Sequence, residues 1–219
     1  MTVVAVDGPV GSGKSTVARR VAARLGYVYL DTGAMYRAVG LLATECGVAL
    51  DDEEAVVALA RSAGLRFDGD GRLFAGGRDV SEVIRTLEMG AAASRVSALP
   101  GVRGLLVDEQ RRLAGDTDIV MEGRDIGTNV FPHAAVKVFL TARPDVRAAR
   151  RAAELRANGD QVDDAQVLAA ILERDRRDCT RAVAPLRKAA DAVELDTSDM
   201  TPGEVVEVVA GIAREQVGP

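Results

Sequence analysis

The apolar residues of this chain follow two periods, one suited to strands and one to helices. Val3 to Val6 is a short β-branched run ending at Asp7, and a glycine-rich turn follows it. From Lys14 to Leu25 the apolar positions are Val17, Ala18, Val21, Ala22 and Leu25, which line one face of a helix. Val28–Leu30 reads as a second strand and Ala34–Cys46 as a helix. Asp51 is expected to cap another helix running through Ala63, with acidic residues in its first turn. Ile119–Met121 and Val136–Leu140 are continuous apolar runs of the kind buried on both sides. Val193–Leu195 is a last strand, and Pro202 opens the final helix. Five short strands alternating with helices predict an α/β fold, a parallel five-stranded sheet flanked by helices.

One segment breaks the alternation. Between Leu65 and Val80, Gly69, Gly71, Gly76 and Gly77 punctuate three short pieces, Leu65–Phe67, Arg72–Ala75 and Arg78–Val80. They predict small antiparallel strands, a β-rich insertion between helices. The expected organisation is therefore a single unit over 1–219. Its core is formed by 1–50, 100–145 and 185–219, with an insertion region at 64–98.

Composition narrows the class without naming a function. Hydrophobic residues make up 47% and charged residues 28%, an ordinary balance for a soluble globular protein. No apolar run approaches the roughly 18 residues that a membrane span needs, so no membrane partner is expected. A motif begins directly after the first strand, and no signal peptide is expected before it. Two cysteines, Cys46 and Cys179, suggest neither a disulfide framework nor a metal pair, which fits a cytoplasmic protein. A net charge of −5 argues against nucleic acid as a partner. The cations are nevertheless lopsided, for Lys14, Lys137 and Lys188 are the only lysines. Arginine forks suit phosphate and carboxylate, but a GC-rich genome produces the same bias, so position has to decide.

The strongest motif is Gly8-Pro9-Val10-Gly11-Ser12-Gly13-Lys14-Ser15, followed by Thr16, which fits G-x-x-x-x-G-K-[ST] between a strand and a helix. Its glycines let backbone N–H groups ring a phosphate, and the helix start adds the positive end of its dipole. Lys14 is placed to reach the β- and γ-phosphates of ATP, and the Ser15 hydroxyl to ligate Mg²⁺. No guanine-reading N-K-x-D segment is present, which excludes a regulatory GTPase. Glu122, at the end of Ile119-Val120-Met121, is either a carboxylate behind the metal or a strand-end acid facing solvent.

Two further segments stand where strands end, which in open α/β sheets is where ligands bind. Asp31-Thr32-Gly33-Ala34-Met35-Tyr36-Arg37 offers a hydroxyl and an arginine, and Glu122-Gly123-Arg124-Asp125-Ile126-Gly127-Thr128 an arginine beside an acid. In Glu173–Arg181, helical spacing puts Arg174, Arg177, Asp178 and Arg181 on one face. Three arginines stacked with one acid repel each other unless an anion joins them, although a solvated, salt-bridged helix face uses the same residues.

The GPVGSGKST loop, LDTGAMYRA, EGRDIGT and ERDRRDCTRAVAPL together resemble the bacterial cytidylate kinase family over nearly the whole chain. The resemblance implies a P-loop NTPase-type fold with an NMP-binding insertion and a helical lid, ATP with Mg²⁺ as donor, and CMP or dCMP as acceptor. It implies base recognition by Thr32, Arg103, Asp125 and Arg181, and acceptor-phosphate binding by Arg37 and Arg124 with Arg181 near. It implies sugar contacts from Ser94, Arg174 and Asp178. Thr32 stands where some relatives have Ser, and Glu122 where some have Asp. The residues agree with this chemistry: cytosine presents an amine beside two acceptors, for which Asp125 and the Arg103 fork are the complements.

The acceptor oxygen is already ionised at neutral pH, so no general base is needed and His133, beside Pro132, is expected to be a loop residue. Lys14, Arg124, Arg177 and Arg181 are the expected catalytic cations, with 147–181 as a lid region. Arg147, Arg150 and Arg151 precede the lid helix and Arg177 sits on it, one of them being expected to reach the γ-phosphate, with a solvated helix face the strong alternative for Arg147 and Arg150. Asp196-Thr197-Ser198 is expected to border adenine, with a plain helix cap from Ser198, Asp199 or Thr201 as the alternative. A monomer is the expected state. Other small P-loop kinases, of the AMP, shikimate or gluconate type, share the loop but give no reason for EGRDIGT, RDCTRAVAPL or the insertion. A nucleotide-dependent switch predicts an apolar partner face that the sequence does not display.

Overall fold

The computed structural model describes residues 1–69 and 71–217; Asp70, Gly218 and Pro219, from the expected insertion and last core segment, lie outside the described residues. The chain folds as two compact units, Met1–Leu30 with Ala114–Pro219, and Asp31–Leu113.

The first unit carries strand β1 (Val3–Asp7), helix α1 (Lys14–Leu25) and strand β2 (Val28–Asp31), whose last residue opens the second unit. The second unit follows with helices α2 (Thr32–Glu45) and α3 (Glu53–Ser62), strands β3 (Arg66–Phe67), β4 (Leu73–Ala75) and β5 (Arg78–Asp79), and helices α4 (Leu87–Val96) and α5 (Pro100–Ala114). The chain then returns through strands β6 (Ile119–Gly123) and β7 (Val136–Thr141), helices α6 (Pro144–Ala157) and α7 (Asp164–Thr180), strand β8 (Val193–Asp196) and helix α8 (Pro202–Val217).

The large sheet has five strands in the order β2-β6-β1-β7-β8. β1 lies at its centre, parallel to β6 and β7, with Asp7 opposite Gly123 and Phe139. Every residue of β1 is buried, which is why its sequence is an unbroken apolar run rather than an alternating one. Val17, Val21, Val205 and Val209 of α1 and α8 pack with Val4, Val6, Val120, Val138 and Leu140 of the strands. Ala148, Ala152 and Leu155 of α6 form a smaller core with Val167 and Ile171 of α7.

In the second unit, Met35, Val39, Val56, Leu73, Ile84, Val96 and Leu106 share one core. The glycine-punctuated segment forms the antiparallel sheet β3-β4-β5 that its sequence predicts. The helix cap falls one residue later than expected: Asp52, not Asp51, accepts from Ala55 N at 3.1 Å. Two adjacent acids can each cap, and the phase of the apolar face, with Val56 and Ala60 inward, selects the second. α2 starts at Thr32 rather than Ala34, because Asp31 caps it through Ala34 N at 2.9 Å.

Candidate active site

The loop after β1 is held from inside. Ser12 Oγ donates to Pro9 O at 2.9 Å, and the Lys14 ammonium to the same carbonyl at 2.6 Å. Gly11 has φ +76°, and a Cβ there would lie 2.6 Å from Arg147 O. Arg147 is buried and reaches three ways, from Nε to Ala142 O at 2.9 Å, from Nη1 to Val10 O at 3.1 Å, and to Asp175 at 2.7 Å. Arg150 donates to Thr197 Oγ1 at 2.9 Å and to Thr197 O at 2.6 Å. The solvated reading of both arginines is thus corrected: one braces the loop through its backbone, and the other braces Thr197. Thr197 is itself buried, its hydroxyl 3.2 Å from Ser12 O. Thr201 is the cap of α8, exchanging bonds with Glu204 at 2.8 and 3.3 Å.

Glu122 does not face solvent. It is buried, accepts from Ser15 Oγ at 2.9 Å, and also accepts from the Tyr29 hydroxyl. Among the described residues no group of three or more His, Cys, Asp or Glu is placed to hold a metal ion. Ser15 and Glu122 nevertheless form a pair of hard oxygen donors of the type magnesium takes, which leaves its other positions to phosphate and water.

Burial lowers the proton affinity of Lys14 well below that of an ordinary lysine, and the charges of Arg124 and Arg174 push the same way, against Glu122. Arg124 Nε donates to Asp178 at 3.0 Å, and Arg174 stands 3.7 Å from the same carboxylate. Burial alone would raise the Asp178 carboxyl, but Arg124, Arg174 and Arg181 outweigh it and hold the group below its usual range. Arg181 lies past the end of α7 rather than on its face, donating to Ala184 O at 2.8 Å and standing 3.5 Å from Asp125. The chain doubles back there, with Ala184 at φ +47° and Leu186 N bonded to Asp178 O at 2.7 Å. The other face-sharing arginine, Arg177, lies 3.9 Å from Glu173. Asp125 accepts from Asn129 Nδ2 at 3.1 Å. The stacked cations are thus interleaved with Asp178, which the spacing already placed among them, and with Asp125, which it did not show. His133 is an exposed turn residue, as expected.

In the second unit, Thr32 is the buried first residue of α2, and Arg37 pairs with Asp31 at 2.8 Å. Arg85, which sequence reasoning missed, stands 3.4 Å from the same carboxylate. Arg103 is fully buried, donating to Ser97 O at 3.2 Å with its guanidinium 5.6 Å from the Tyr36 ring centroid. Ser94 is buried, and its hydroxyl meets no hydrogen-bond partner among the described residues.

A family model described as cytidylate kinase matches residues 4–215. The chain belongs to the cytidylate kinase family. A cytidylate kinase of Solibacter usitatus is 48% identical over 98% of this chain and 93% of its own length. One of Pelotomaculum thermopropionicum is 49% identical over 98% and 96%. The structure of a gluconokinase from Sinorhizobium meliloti superposes with a TM-score of 0.51, covering 99% of this chain and 94% of that one. At 17% identity that likeness shows the fold alone, a P-loop kinase sheet. Among the described residues no helix is long and apolar enough to cross a membrane. Within the family's frame, the braces missed by sequence reasoning are Arg147, Thr197, Tyr29 and Tyr36. Only Arg147 gave a sequence signal, standing beside the apolar stripe Ala148-Ala152-Leu155.

Proposed function

We propose that this chain transfers the γ-phosphoryl group of ATP to CMP or dCMP, giving ADP and the cytidine diphosphate. The observation that carries the reading is the convergence of Arg124, at 3.0 Å, and Arg174, at 3.7 Å, on the buried Asp178 carboxylate, in the unit that also buries Lys14. Cations crowded into a buried site repel one another, and phosphate groups on donor and acceptor relieve that repulsion.

In this reading Gly8 to Thr16 hold the ATP phosphates, with Lys14 exchanging its loop carbonyl for β- and γ-oxygens. Magnesium bound with ATP supplies charge neutralisation at those oxygens, and Ser15, oriented by Glu122, is the side chain that would hold it. Arg37, Arg124 and Arg181 take the acceptor phosphate, whose oxygen attacks in line without a general base. Asp125 accepts the cytosine amine and Arg103, with Thr32, meets its acceptor edge, while Ser94, Arg174 and Asp178 hold the sugar. Arg177 and Arg181, in the 147–181 region assigned as a lid, add charge at the transferring group, and 64–98 is assigned to the acceptor side.

ADP release from Mg-ATP, with CMP, dCMP, UMP, AMP and shikimate each offered as acceptor, tests this. Turnover with CMP and dCMP at least about tenfold above UMP is expected, because a carbonyl facing Asp125 costs on the order of 1–3 kcal/mol. Equal specificity for UMP and CMP would refute the role of Asp125, and turnover with AMP or shikimate alone would refute the substrate.

A further inference from the structure

Asp7 has no part in the chemistry above, yet it is buried one residue before the phosphate loop. A carboxylate there repels the same phosphates the loop attracts. Burial pushes its carboxyl up to about 6, against the pull of backbone bonds from Gly127 and Ile126. A group so unfavourably placed calls for a compensating role.

Each of its two oxygens accepts a backbone N–H. Oδ1 accepts from Ile126 N at 2.9 Å and Oδ2 from Gly127 N at 2.8 Å. Those residues open a π-helical turn, Ile126–Val130, closed by Phe131 N on Ile126 O at 2.7 Å. The first N–H groups of any helix lack partners within it, and the side chain preceding the helix ordinarily accepts from one of them. Here the preceding residue is Asp125, a strong capping type, and its side chain makes no capping bond. It is turned instead to Asn129 Nδ2 and Arg181. The cap comes from another strand.

The turn is also clamped from beneath. A Cβ on Gly127 would meet the Lys137 stem at 3.1 Å and Asp7 Oδ2 at 3.5 Å. Lys137 donates to Pro132 O at 2.5 Å, just past the turn, and pairs with Asp191 at 2.7 Å.

We infer that Asp7 is a positioning residue for acceptor recognition: by capping the turn in place of Asp125, it releases the Asp125 carboxylate to face the base. The inference rests on the acceptor reading above. With Asp7 changed to Asn, one oxygen is replaced by an NH₂ donor facing a backbone N–H. The orphaned N–H recruits Asp125 as its own cap and withdraws it from the base.

The test is the steady-state kinetics of Asp7→Asn with CMP, UMP and ATP, paired with calorimetric binding of CMP alone. CMP binding is expected to weaken by about tenfold, the size of one lost charge-assisted hydrogen bond. The CMP-over-UMP ratio of kcat/KM is expected to fall by a similar factor, with KM for ATP within about twofold, since the loop's own N–H groups are untouched. A purely structural role would weaken ATP and CMP alike or leave the CMP-over-UMP ratio intact, and either result overturns the inference. If Asp7→Asn does not fold, Gly127→Ala presses the same turn against the Lys137 stem with the Asp7 carboxylate retained. It must also lower the CMP-over-UMP ratio while sparing ATP, and an unchanged ratio overturns the inference. Failure of the acceptor reading itself would show in the unaltered protein, as absent CMP turnover, before any variant is measured.

Discussion

Asp31 does two jobs that two substitutions can separate. It caps α2 through Ala34 N at 2.9 Å and binds Arg37 at 2.8 Å and Arg85 at 3.4 Å. Asn caps a helix as well as Asp does, so Asp31→Asn removes only the charge, whereas Asp31→Ala removes the cap too. The Arg37 pair is mostly buried, and a hydrogen bond to a charged partner contributes about 1.5–3 kcal/mol. The Arg85 pair is longer and more exposed, and is discounted to about 0–1 kcal/mol. Asp31→Asn should therefore cost about 2–3 kcal/mol and Asp31→Ala about 1 kcal/mol more. In urea, with a slope of about 2 kcal/mol per molar, the midpoints should fall by about 1–1.5 M and about 1.5–2 M. The pH dependence has a definite sign. Burial alone would raise Asp31, but Arg37, Arg85 and the Ala34 N–H bring it below the ordinary value of 3.8. Its contribution is thus present above pH 3.8 and lost as the pH falls through its own lower value, so the gap between Asp31→Asn and the unaltered protein should close in acid. An Asp31→Asn midpoint within about 0.3 M of the unaltered protein would refute the assignment of Asp31 as the anchor of both arginines.

Three other outcomes are expected. Gly11→Ala forces a side chain into a left-handed conformation costing about 1–2 kcal/mol and against Arg147 O, so calorimetry should show ATP binding weakened at least about tenfold in a folded protein. Arg147→Met leaves Asp175 without its partner, and breaking such a buried pair costs about 3–5 kcal/mol, read as a melting temperature lower by at least about 6 °C. Glu122→Gln removes the negative charge and leaves one acceptor oxygen where Ser15 and Tyr29 now have two, so the magnesium concentration for half-maximal rate should rise by about tenfold while KM for the acceptor stays unchanged.

The parts of this fold written as local pattern were legible. β1 and the loop after it follow from a β-branched run and glycines, and the β3-β4-β5 sheet from glycines at 71, 76 and 77, all with positive φ. What stayed hidden depends on partners far along the chain. Nothing local to Arg147 says that it meets Val10 O, and nothing local to Thr197 says that it reaches Ser12. Arg181 was placed on a helix because its spacing from Arg174 and Arg177 is helical. Pro185, four residues on, was the available signal that the helix stops first. Glu122 could not be resolved from sequence because a strand-end acid faces inward only if something, here Ser15 and Tyr29, is there to meet it.

The chain order of the two units has a consequence for synthesis. Asp31–Leu113 is one uninterrupted stretch, whereas the five-stranded sheet draws β1 and β2 from before it and β6, β7 and β8 from after it. On the ribosome, the stretch from Asp31 can collapse around Met35, Val56 and Leu73 while β1 still lacks both neighbours. β1 carries Val3, Val4, Ala5 and Val6 with both edges open, a segment prone to pairing with other chains, until β6 and β7 emerge. The strand that positions the phosphate loop is thus made before both of its sheet neighbours and sheltered late. Nascent chains stalled just before Ile119 are therefore expected to be the ones that chaperones hold.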